Sequence, residues 1–197
     1  MSGKSELTCI YLVRHGETIW NAEGRCQGSS HSEFTVRGRE QIDALAASLA
    51  NIDFDAAYTS PLTRAVNTAA RILGSRGQQA TCAAELAELS YGSLQGTRFD
   101  EWPHELHAVW RSDPWSVSFP DGESLAMVRD RVLPVFRSIV AEHAGQAVLV
   151  SSHGHVNRLI LLHVLDRPPA DFWRIEQKNG TATLLEIAPD FSTTVRV

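Results

Sequence analysis

One apolar run near the start of the chain constrains the fold more than any other segment. Residues 7–13 (LTCIYLV) lack the polar–apolar alternation of a strand that has one face in water. Such a run indicates a strand buried on both faces, as in a parallel sheet that lies between two layers of helices. Residues 147–151 (AVLVS) form a second run of this kind.

Between these two runs the sequence alternates between helix and strand patterns. Apolar residues at helical spacing predict a helix over 35–49, and residues 56–59 predict a short strand. Ser60 and Pro61 then suit the N-cap and the first residue of the next helix. After the second buried run, residues 156–165 again have a helical pattern.

The segment over about residues 90–122 differs from its surroundings. It is irregular, rich in Trp and His and interrupted by three prolines, so we expect a short cap with one helix around 105–110. Its tryptophans are expected mainly to pack this cap. A long helix is predicted over 124–143, and residues 181–187 and 193–197 favour an edge hairpin.

Together these elements predict an α/β fold. We expect a three-layer sandwich with a mostly parallel central sheet flanked by helices, and one domain over residues 1–197 because no linker divides the chain. The carboxyl ends of parallel strands meet at one edge of a sheet, where open α/β sheets bind ligands. His15 and His153 each follow one of the buried strands, so two imidazoles are expected in one crevice.

Composition bounds the partners and the compartment. The chain has 18 Lys and Arg against 23 Asp and Glu, a net charge of −5, which argues against nucleic acid and anionic membranes as partners. Residues 1–6 lack the apolar region of a signal peptide, and no apolar run is long enough to cross a bilayer. Three cysteines without a CxxC pair favour a reducing compartment, so we expect a cytoplasmic protein.

The stretch after the first strand carries the most specific pattern in the chain. In residues 14–21 (RHGETIWN) a guanidinium suited to phosphate oxygens stands beside an imidazole that can act as a nucleophile. This stretch resembles the signature of the histidine phosphatase superfamily, also called the phosphoglycerate mutase-like family. Further segments resemble that family in chain order: 24–28 (GRCQG), 35–41 (TVRGREQ), 59–65 (TSPLTRA), 86–92 (LAELSYG) and 151–154 (SSHG).

The resemblance implies the principal catalytic roles. His15 would be the nucleophile and would take the phosphoryl group as a phosphohistidine. Arg14, Arg64 and His153 would bind the phosphoryl oxygens and offset their charge in the transition state. Glu88 would protonate the leaving oxygen and then activate water, a role that needs a carboxyl pKa near the working pH.

Four further residues are candidates for substrate binding. By resemblance, Asn21 and the backbone amide of Gly154 would donate hydrogen bonds to the phosphoryl group, and Gln27 would contact the substrate. His155 stands where the family commonly has a small residue. It belongs either to the substrate pocket or simply to the start of a helix.

The same residues argue against a metal or cofactor. Residues 153–155 (HGH) could suggest a metal-binding pair, but no third or fourth ligand stands at a recognisable spacing. Phosphoryl transfer needs positioning and positive charge, which two arginines and two histidines can supply. We therefore expect no metal site and no cofactor.

The resulting hypothesis is a metal-independent phosphomonoesterase that acts on a small-molecule phosphate ester. The alternatives are a cofactor-dependent phosphoglycerate mutase and a non-catalytic domain of the same fold that binds a phosphate ligand for regulation. Mutases resemble this chain in the pocket but carry a longer middle region and tail, whereas here His153 follows Glu88 by 65 positions and 44 residues follow His153. A non-catalytic relative would be expected to lack a pocket residue.

Substrate and assembly stay open at this point. Phosphoserine, phosphoglycerates, sugar phosphates and α-ribazole phosphate all suit the family, and the role of the cap in choosing among them is undefined. Dimerisation is common among such proteins, so a homodimer is a further expectation, although the sequence identifies no interface.

Overall fold

A computed structural model describes residues 7–74 and 77–196. Its centre is a six-stranded mixed sheet. The strands are β1 (Thr8–Arg14), β2 (Ala56–Thr59), β3 (Thr81–Cys82), β4 (Ala147–Ser152), β5 (Ala182–Ile187) and β6 (Thr193–Arg196). They lie in the order β3-β2-β4-β1-β5-β6. The pairings from β3 to β1 are parallel, and those of β5 with β1 and with β6 are antiparallel.

Helices cover both faces of this sheet. They are α1 (Ile19–Ala22), α2 (Val36–Ser48), α3 (Thr63–Leu73), α4 (His104–Ser112), α5 (Leu125–Glu142) and α6 (Gly154–Val164). Helices α2 and α3 pack on one face in a core that includes Val13 and Leu149. Helices α5 and α6 pack on the other face, where Ile10 and Leu12 are completely buried. Strand β1 therefore contributes to both cores, which confirms the three-layer sandwich.

The cap over residues 90–122 packs into the core on the α5–α6 side. It contains short 3-10 turns and helix α4, so the expected single helix is confirmed. Trp102 and Trp110 are buried in that core, and the partly buried Trp115 donates from its indole N–H to the carbonyl of Pro169. The cap tryptophans therefore serve mainly as packing residues.

Two predicted helix starts are wrong. Helix α3 begins at Thr63, not at Pro61, although the Ser60 hydroxyl accepts the backbone N–H of Leu62 and also lies 2.7 Å from Nε2 of His153. Helix α6 also begins earlier than predicted, at Gly154, directly after the residue that follows β4. This early start brings the first turn of α6 to the edge of the sheet.

The expected hairpin is formed by β5 and β6, and the last residue predicted for it, Val197, lies outside the described residues. The two-residue strand β3 is too short to leave a pattern in the sequence and was not expected. None of the helices in the described part of the chain combines the length and apolarity needed to cross a bilayer.

Candidate active site

Two neighbouring strand ends bring the two histidines together. Strands β1 and β4 are parallel neighbours in which Arg14 pairs with Ser152, so His15 and His153 follow at the same edge of the sheet. Their ring centroids lie 5.2 Å apart. The register of the two strands therefore fixes the distance between the imidazoles.

The hydrogen bonds of His15 define its tautomer. Its Nδ1 lies 2.7 Å from the carbonyl oxygen of Gly16, which can only accept, so Nδ1 carries the ring proton and Nε2 keeps its lone pair. The Nε of Arg64 donates to this Nε2 at 3.1 Å. Burial and the charges of Arg64 and Arg14 hold the pKa of His15 well below its usual value. The ring is therefore a neutral imidazole with Nε2 as its nucleophilic atom.

The guanidinium of Arg64 is fixed by backbone carbonyls. Its two terminal nitrogens donate to the oxygens of Ser30, at 3.1 Å, and Gly28, at 2.6 Å. Arg14 is held in the same way by the carbonyl of Gln177. Burial lowers the pKa of both arginines to about 10, so both remain cationic at neutral pH. Two fixed positive charges thus act on Nε2 of His15.

Glu88 faces the same cavity and is 8% exposed. Its Oε1 accepts the backbone N–H of Leu89 at 2.9 Å, and its Oε2 accepts that of His155 at 3.2 Å. Burial alone would raise the pKa of Glu88, but His155, His153 and the Leu89 N–H lower it well below its usual value. These donors stabilise the carboxylate, and a pKa near the working pH stays a prediction that depends on a neighbouring anion such as phosphate.

His153 lies behind His15 and is completely buried. Its Nε2 lies 2.7 Å from the hydroxyl oxygen of Ser60, and burial together with Arg64 lowers the pKa of its ring well below the usual value. His153 does not line the cavity wall formed by the described residues, but its Nδ1 has no hydrogen-bond partner among them, and its contact with phosphoryl oxygens stays a prediction.

The other predicted binding residues divide by their contacts. Asn21 lines the cavity and uses its Oδ1 to accept from the Thr18 N–H and the Asn179 side chain, which leaves its amide hydrogens as donors. Gln27 also lines the cavity, but its amide binds the Thr18 hydroxyl and the Ser30 carbonyl.

Gly154 has a spatial role beside the cavity. A Cβ at this position would stand 3.3 Å from the guanidinium carbon of Arg14, so glycine leaves room for that side chain. Gly16 serves packing in the same way, because a Cβ there would meet the carbonyl of Gly38 at 2.5 Å.

The cavity has a volume of about 110 Å³. Seven of the nine predicted site residues line it, and His153 and Gly154 do not. Its wall consists of Arg14, His15, Asn21, Arg25, Gln27, Gly28, Arg64, Glu88, Tyr91, Phe99 and His155. A larger groove of about 1000 Å³ beside α2 shares Arg14 but contains neither imidazole nor Glu88, so the chemistry belongs to the smaller cavity.

Several supporting residues were missed at the sequence level. The Gly180 N–H donates to the carbonyls of Arg14 and His15, and the Asn179 side chain donates to the His15 carbonyl at 3.2 Å. An Asn-Gly pair indicates a turn, but nothing in the sequence connects it to residues more than 150 positions earlier. Tyr91 and Ser60 were likewise not predicted as site residues.

In residues 7–74 and 77–196, no group of three or more His, Cys, Asp or Glu side chains is arranged to hold a metal ion.

Comparison with known proteins identifies the family. The model of the histidine phosphatase superfamily (branch 1) matches residues 10–197. The chain belongs to the histidine phosphatase superfamily. It is 30% identical to phosphoserine phosphatase 1 of Hydrogenobacter thermophilus over 90% of this chain and 86% of that protein. The structure of Bacillus stearothermophilus YhfR covers 96% of both chains with 30% identity and a TM-score of 0.89.

A mutase is among the relatives of this histidine phosphatase as well. The 2,3-bisphosphoglycerate-dependent phosphoglycerate mutase of Brucella anthropi is 31% identical over 92% of this chain and 93% of that protein. Because nearly all of that mutase is matched, the expectation that mutases carry a longer middle region and tail does not separate the two activities. The family match and the similarity to a named phosphatase place this enzyme among the phosphatases of the superfamily.

The fixed guanidinium of Arg64 leads to a first prediction. Arg64→Lys should lower kcat/KM for a phosphomonoester about a hundredfold, because an ammonium group cannot replace a fork that is bound at Gly28, Ser30 and Nε2 of His15. Steady-state kinetics measure the loss. Arg71→Lys, at an exposed position on the same helix, is the matched control. A loss of less than about threefold in Arg64→Lys would show that the planar guanidinium fork of Arg64 is unimportant for turnover.

Proposed function

We propose that this histidine phosphatase is a metal-independent phosphomonoesterase that hydrolyses a small-molecule phosphate ester through a phosphohistidine on His15. One observation carries the proposal: the bond from Nδ1 of His15 to the Gly16 carbonyl leaves Nε2 unprotonated beside the cationic Arg64. A neutral imidazole with one fixed nitrogen is the form that can attack phosphorus.

In the first step Nε2 of His15 attacks phosphorus and an N–P bond forms. The ester P–O bond breaks, and its electron pair goes to the leaving oxygen, which takes a proton from the Glu88 carboxyl. Arg64 exchanges its hydrogen bond to Nε2 for one to a phosphoryl oxygen, and Arg14 binds a second oxygen. Both cations stabilise the charge that accumulates on these oxygens.

In the second step water attacks the phosphohistidine. Its proton goes to the Glu88 carboxylate, the N–P bond breaks, and the electron pair returns to Nε2 of His15. The two steps together regenerate the imidazole and the protonated carboxyl. Glu88 thus serves as the general acid in the first step and as the general base in the second.

The proton on Glu88 comes with the substrate. The carboxyl is ionised in the arrangement described above, and a phosphate ester brings a second anion close to it. Two neighbouring anions raise the pKa of the carboxyl, which favours uptake of a proton as the ester binds. This coupling supplies the acid only when there is an ester to cleave.

The remaining site residues support these steps. Asn21 donates its free amide hydrogens to the phosphoryl group, Gln27 holds the loop through Thr18 and Ser30, and Gly154 leaves room for Arg14. We expect His153 to bind a phosphoryl oxygen as well, since the Ser60 hydroxyl holds its ring beside that of His15.

The cavity volume supports a small substrate. About 110 Å³ is well below the roughly 300–1,000 Å³ typical of sites for drug-sized ligands. The phosphoryl group therefore occupies the inner cavity, and the rest of a short ester lies towards Arg25 and Phe99 at its wall.

A phosphoglycerate mutase is the second candidate, and the near-complete match to the Brucella anthropi mutase favours it. A mutase also forms a phosphohistidine but returns the phosphoryl group to a hydroxyl of the substrate. The two candidates therefore differ in the acceptor of the second step, not in the first.

A chelator-treated screen separates these candidates. The purified enzyme is incubated with EDTA and then with phosphoserine, 3-phosphoglycerate and sugar phosphates, and released phosphate is measured. We expect release without added metal and an acid-labile, alkali-stable phosphoenzyme. Phosphate transfer between glycerate hydroxyls with little release would identify a mutase. Activity that requires a metal would contradict the proposal, and absence of both turnover and phosphoenzyme would identify a non-catalytic binding domain.

A further inference from the structure

We propose that His155 is a positioning residue that orients the Glu88 carboxylate and holds it ready to accept a proton from water, with Tyr91 fixing the imidazole from behind. This inference rests on the proposed function and assigns a residue that the family pattern leaves open. It replaces the earlier alternatives of a substrate contact or an idle residue at a helix start.

The ring of His155 is confined on several sides. Its side chain is 13% exposed, and it stacks on Phe172 with an interplanar angle of 13° and a centroid distance of 5.8 Å. Trp110 and Trp173 approach it at 5.7 and 5.9 Å. An imidazole held by so many rings has little rotational freedom, so its two nitrogens have fixed directions.

The two nitrogens of His155 have different neighbours. Nε2 lies 3.4 Å from the hydroxyl oxygen of Tyr91, and Nδ1 lies 3.2 Å from Oε2 of Glu88. Burial raises the pKa of Tyr91 well above its usual value, so the phenol keeps its proton and can donate it to Nε2. The ring proton then stands on Nδ1, which makes no hydrogen bond within the described part of the chain but lies 3.2 Å from Oε2, an oxygen that can only accept.

One residue therefore acts twice on the same oxygen. The backbone N–H of His155 donates to Oε2 of Glu88, and its imidazole stands beside that oxygen. The Leu89 N–H occupies the other carboxylate oxygen. Without the imidazole, the carboxyl would keep its backbone donors but would lose the group that fixes Oε2 from the side.

Other titratable groups interact electrostatically with the carboxyl and would remain after His155 is replaced. They come from several elements and are Arg14, His15, Arg64, Tyr91, His153 and Arg158. Because each of them is cationic or neutral, Glu88 stays in a favourable field. His155 therefore changes the proton affinity of Glu88 but is not needed to keep the Glu88 carboxyl in the site.

This arrangement favours the second half of the reaction. Hydrolysis of the phosphohistidine needs Glu88 as a base, and a donor at Oε2 stabilises the ionised form. Loss of that donor raises the pKa of the carboxyl. As the pH falls, the Glu88 carboxylate is then protonated at a higher pH. The acidic limb in the pH profile of phosphoenzyme hydrolysis therefore moves to higher pH.

The test measures phosphoenzyme decay against pH after rapid loading with 4-nitrophenyl phosphate. His155→Ala should move the acidic limb upward by about one pH unit, and Tyr91→Phe should move it less in the same direction. His155→Asn, whose amide can donate from nearly the position of Nδ1, should keep the acidic limb close to its wild-type position. His104→Ala, at an exposed position on α4, is the matched control and should leave the limb unchanged.

A second measurement does not depend on turnover. Inorganic sulfate keeps its charge from pH 5 to 9, so the pH dependence of its binding reports on groups of the protein. Sulfate affinity should fall as Glu88 ionises, and His155→Ala should move that fall to higher pH. If His155→Ala does not fold, calorimetric titration compares the sulfate profile of wild type with those of two other variants. The profile of Tyr91→Phe should move to higher pH by a smaller amount, and that of His155→Asn should stay near wild type.

The outcomes separate this inference from the proposed function. If wild type forms a phosphoenzyme but His155→Ala moves neither the acidic limb of its decay nor the pH profile of sulfate binding, only the role of His155 is overturned. Equal shifts in His155→Ala and His104→Ala would overturn it as well. Absence of a phosphoenzyme in wild type would instead overturn the proposed function.

Discussion

Replacement of His15 by alanine is expected to lower turnover of any phosphomonoester substrate by at least about a thousandfold, because the variant lacks the atom that accepts the phosphoryl group. The neighbouring His153 cannot substitute for it. That ring is completely buried and its Nε2 is bound to Ser60. The measurement is kcat/KM for 4-nitrophenyl phosphate, together with trapping of an acid-labile phosphoenzyme, which should disappear.

The control for this variant is His104→Ala, which removes an exposed imidazole from the cap. It should retain wild-type activity. Circular dichroism and thermal unfolding show whether His15→Ala keeps its fold, which we expect because its ring contributes to the site more than to the two cores. Unchanged hydrolysis by a folded His15→Ala would falsify the phosphohistidine mechanism.

Glu88→Gln is expected to show the second largest effect, and the size depends on the leaving group. For an alkyl phosphate, kcat/KM should fall about 10²- to 10⁴-fold, since the departing alkoxide needs a proton that an amide cannot supply. For 4-nitrophenyl phosphate the loss should be much smaller, because nitrophenolate leaves without protonation. Comparing kcat/KM isolates the first step, so slow hydrolysis of the phosphoenzyme does not obscure the difference.

Glu85→Gln provides the matched control, because Glu85 is an exposed carboxyl three positions earlier in the same segment. It should leave both substrates unaffected. Equal losses for alkyl and aryl phosphates in Glu88→Gln would indicate that Glu88 binds or positions the substrate without donating a proton. The assignment of the general acid would then have to move to another group.

Local patterns predict much of the fold because they reflect burial. The uninterrupted apolar residues of β1 predict a strand covered on both faces, and Ile10 and Val13 lie in different cores. The N-cap at Ser124 follows from the same local chemistry, since its hydroxyl accepts the Met127 N–H. These features need only neighbouring residues to form.

Features that depend on distant partners escape such analysis. The Ser60 hydroxyl accepts the Leu62 N–H as expected of an N-cap, but it also binds His153, 93 positions away, and α3 begins only at Thr63. The antiparallel pairing of β5 with β1 likewise leaves no trace in the composition of either strand.

The site shows the same division between chemistry and geometry. Motif residues such as His15 and Arg64 are found from the sequence because phosphate chemistry limits which side chains can serve. The ionised state of Glu88 is not, since it follows from the position of His155 and the Leu89 N–H. Asn179 is missed for a similar reason: an amide gains its role only when a turn brings it to the His15 carbonyl.

The position of β1 in the sheet also determines the order in which the enzyme can fold. Both neighbours of β1 come from late segments, residues 147–152 and 182–187, so both of its edges stay unpaired on the ribosome until these have been synthesised. Pairing between such distant segments is slow, and exposed apolar strands invite aggregation or chaperone binding. The nucleophilic histidine is therefore synthesised early but acquires its working geometry only in the last stage of folding.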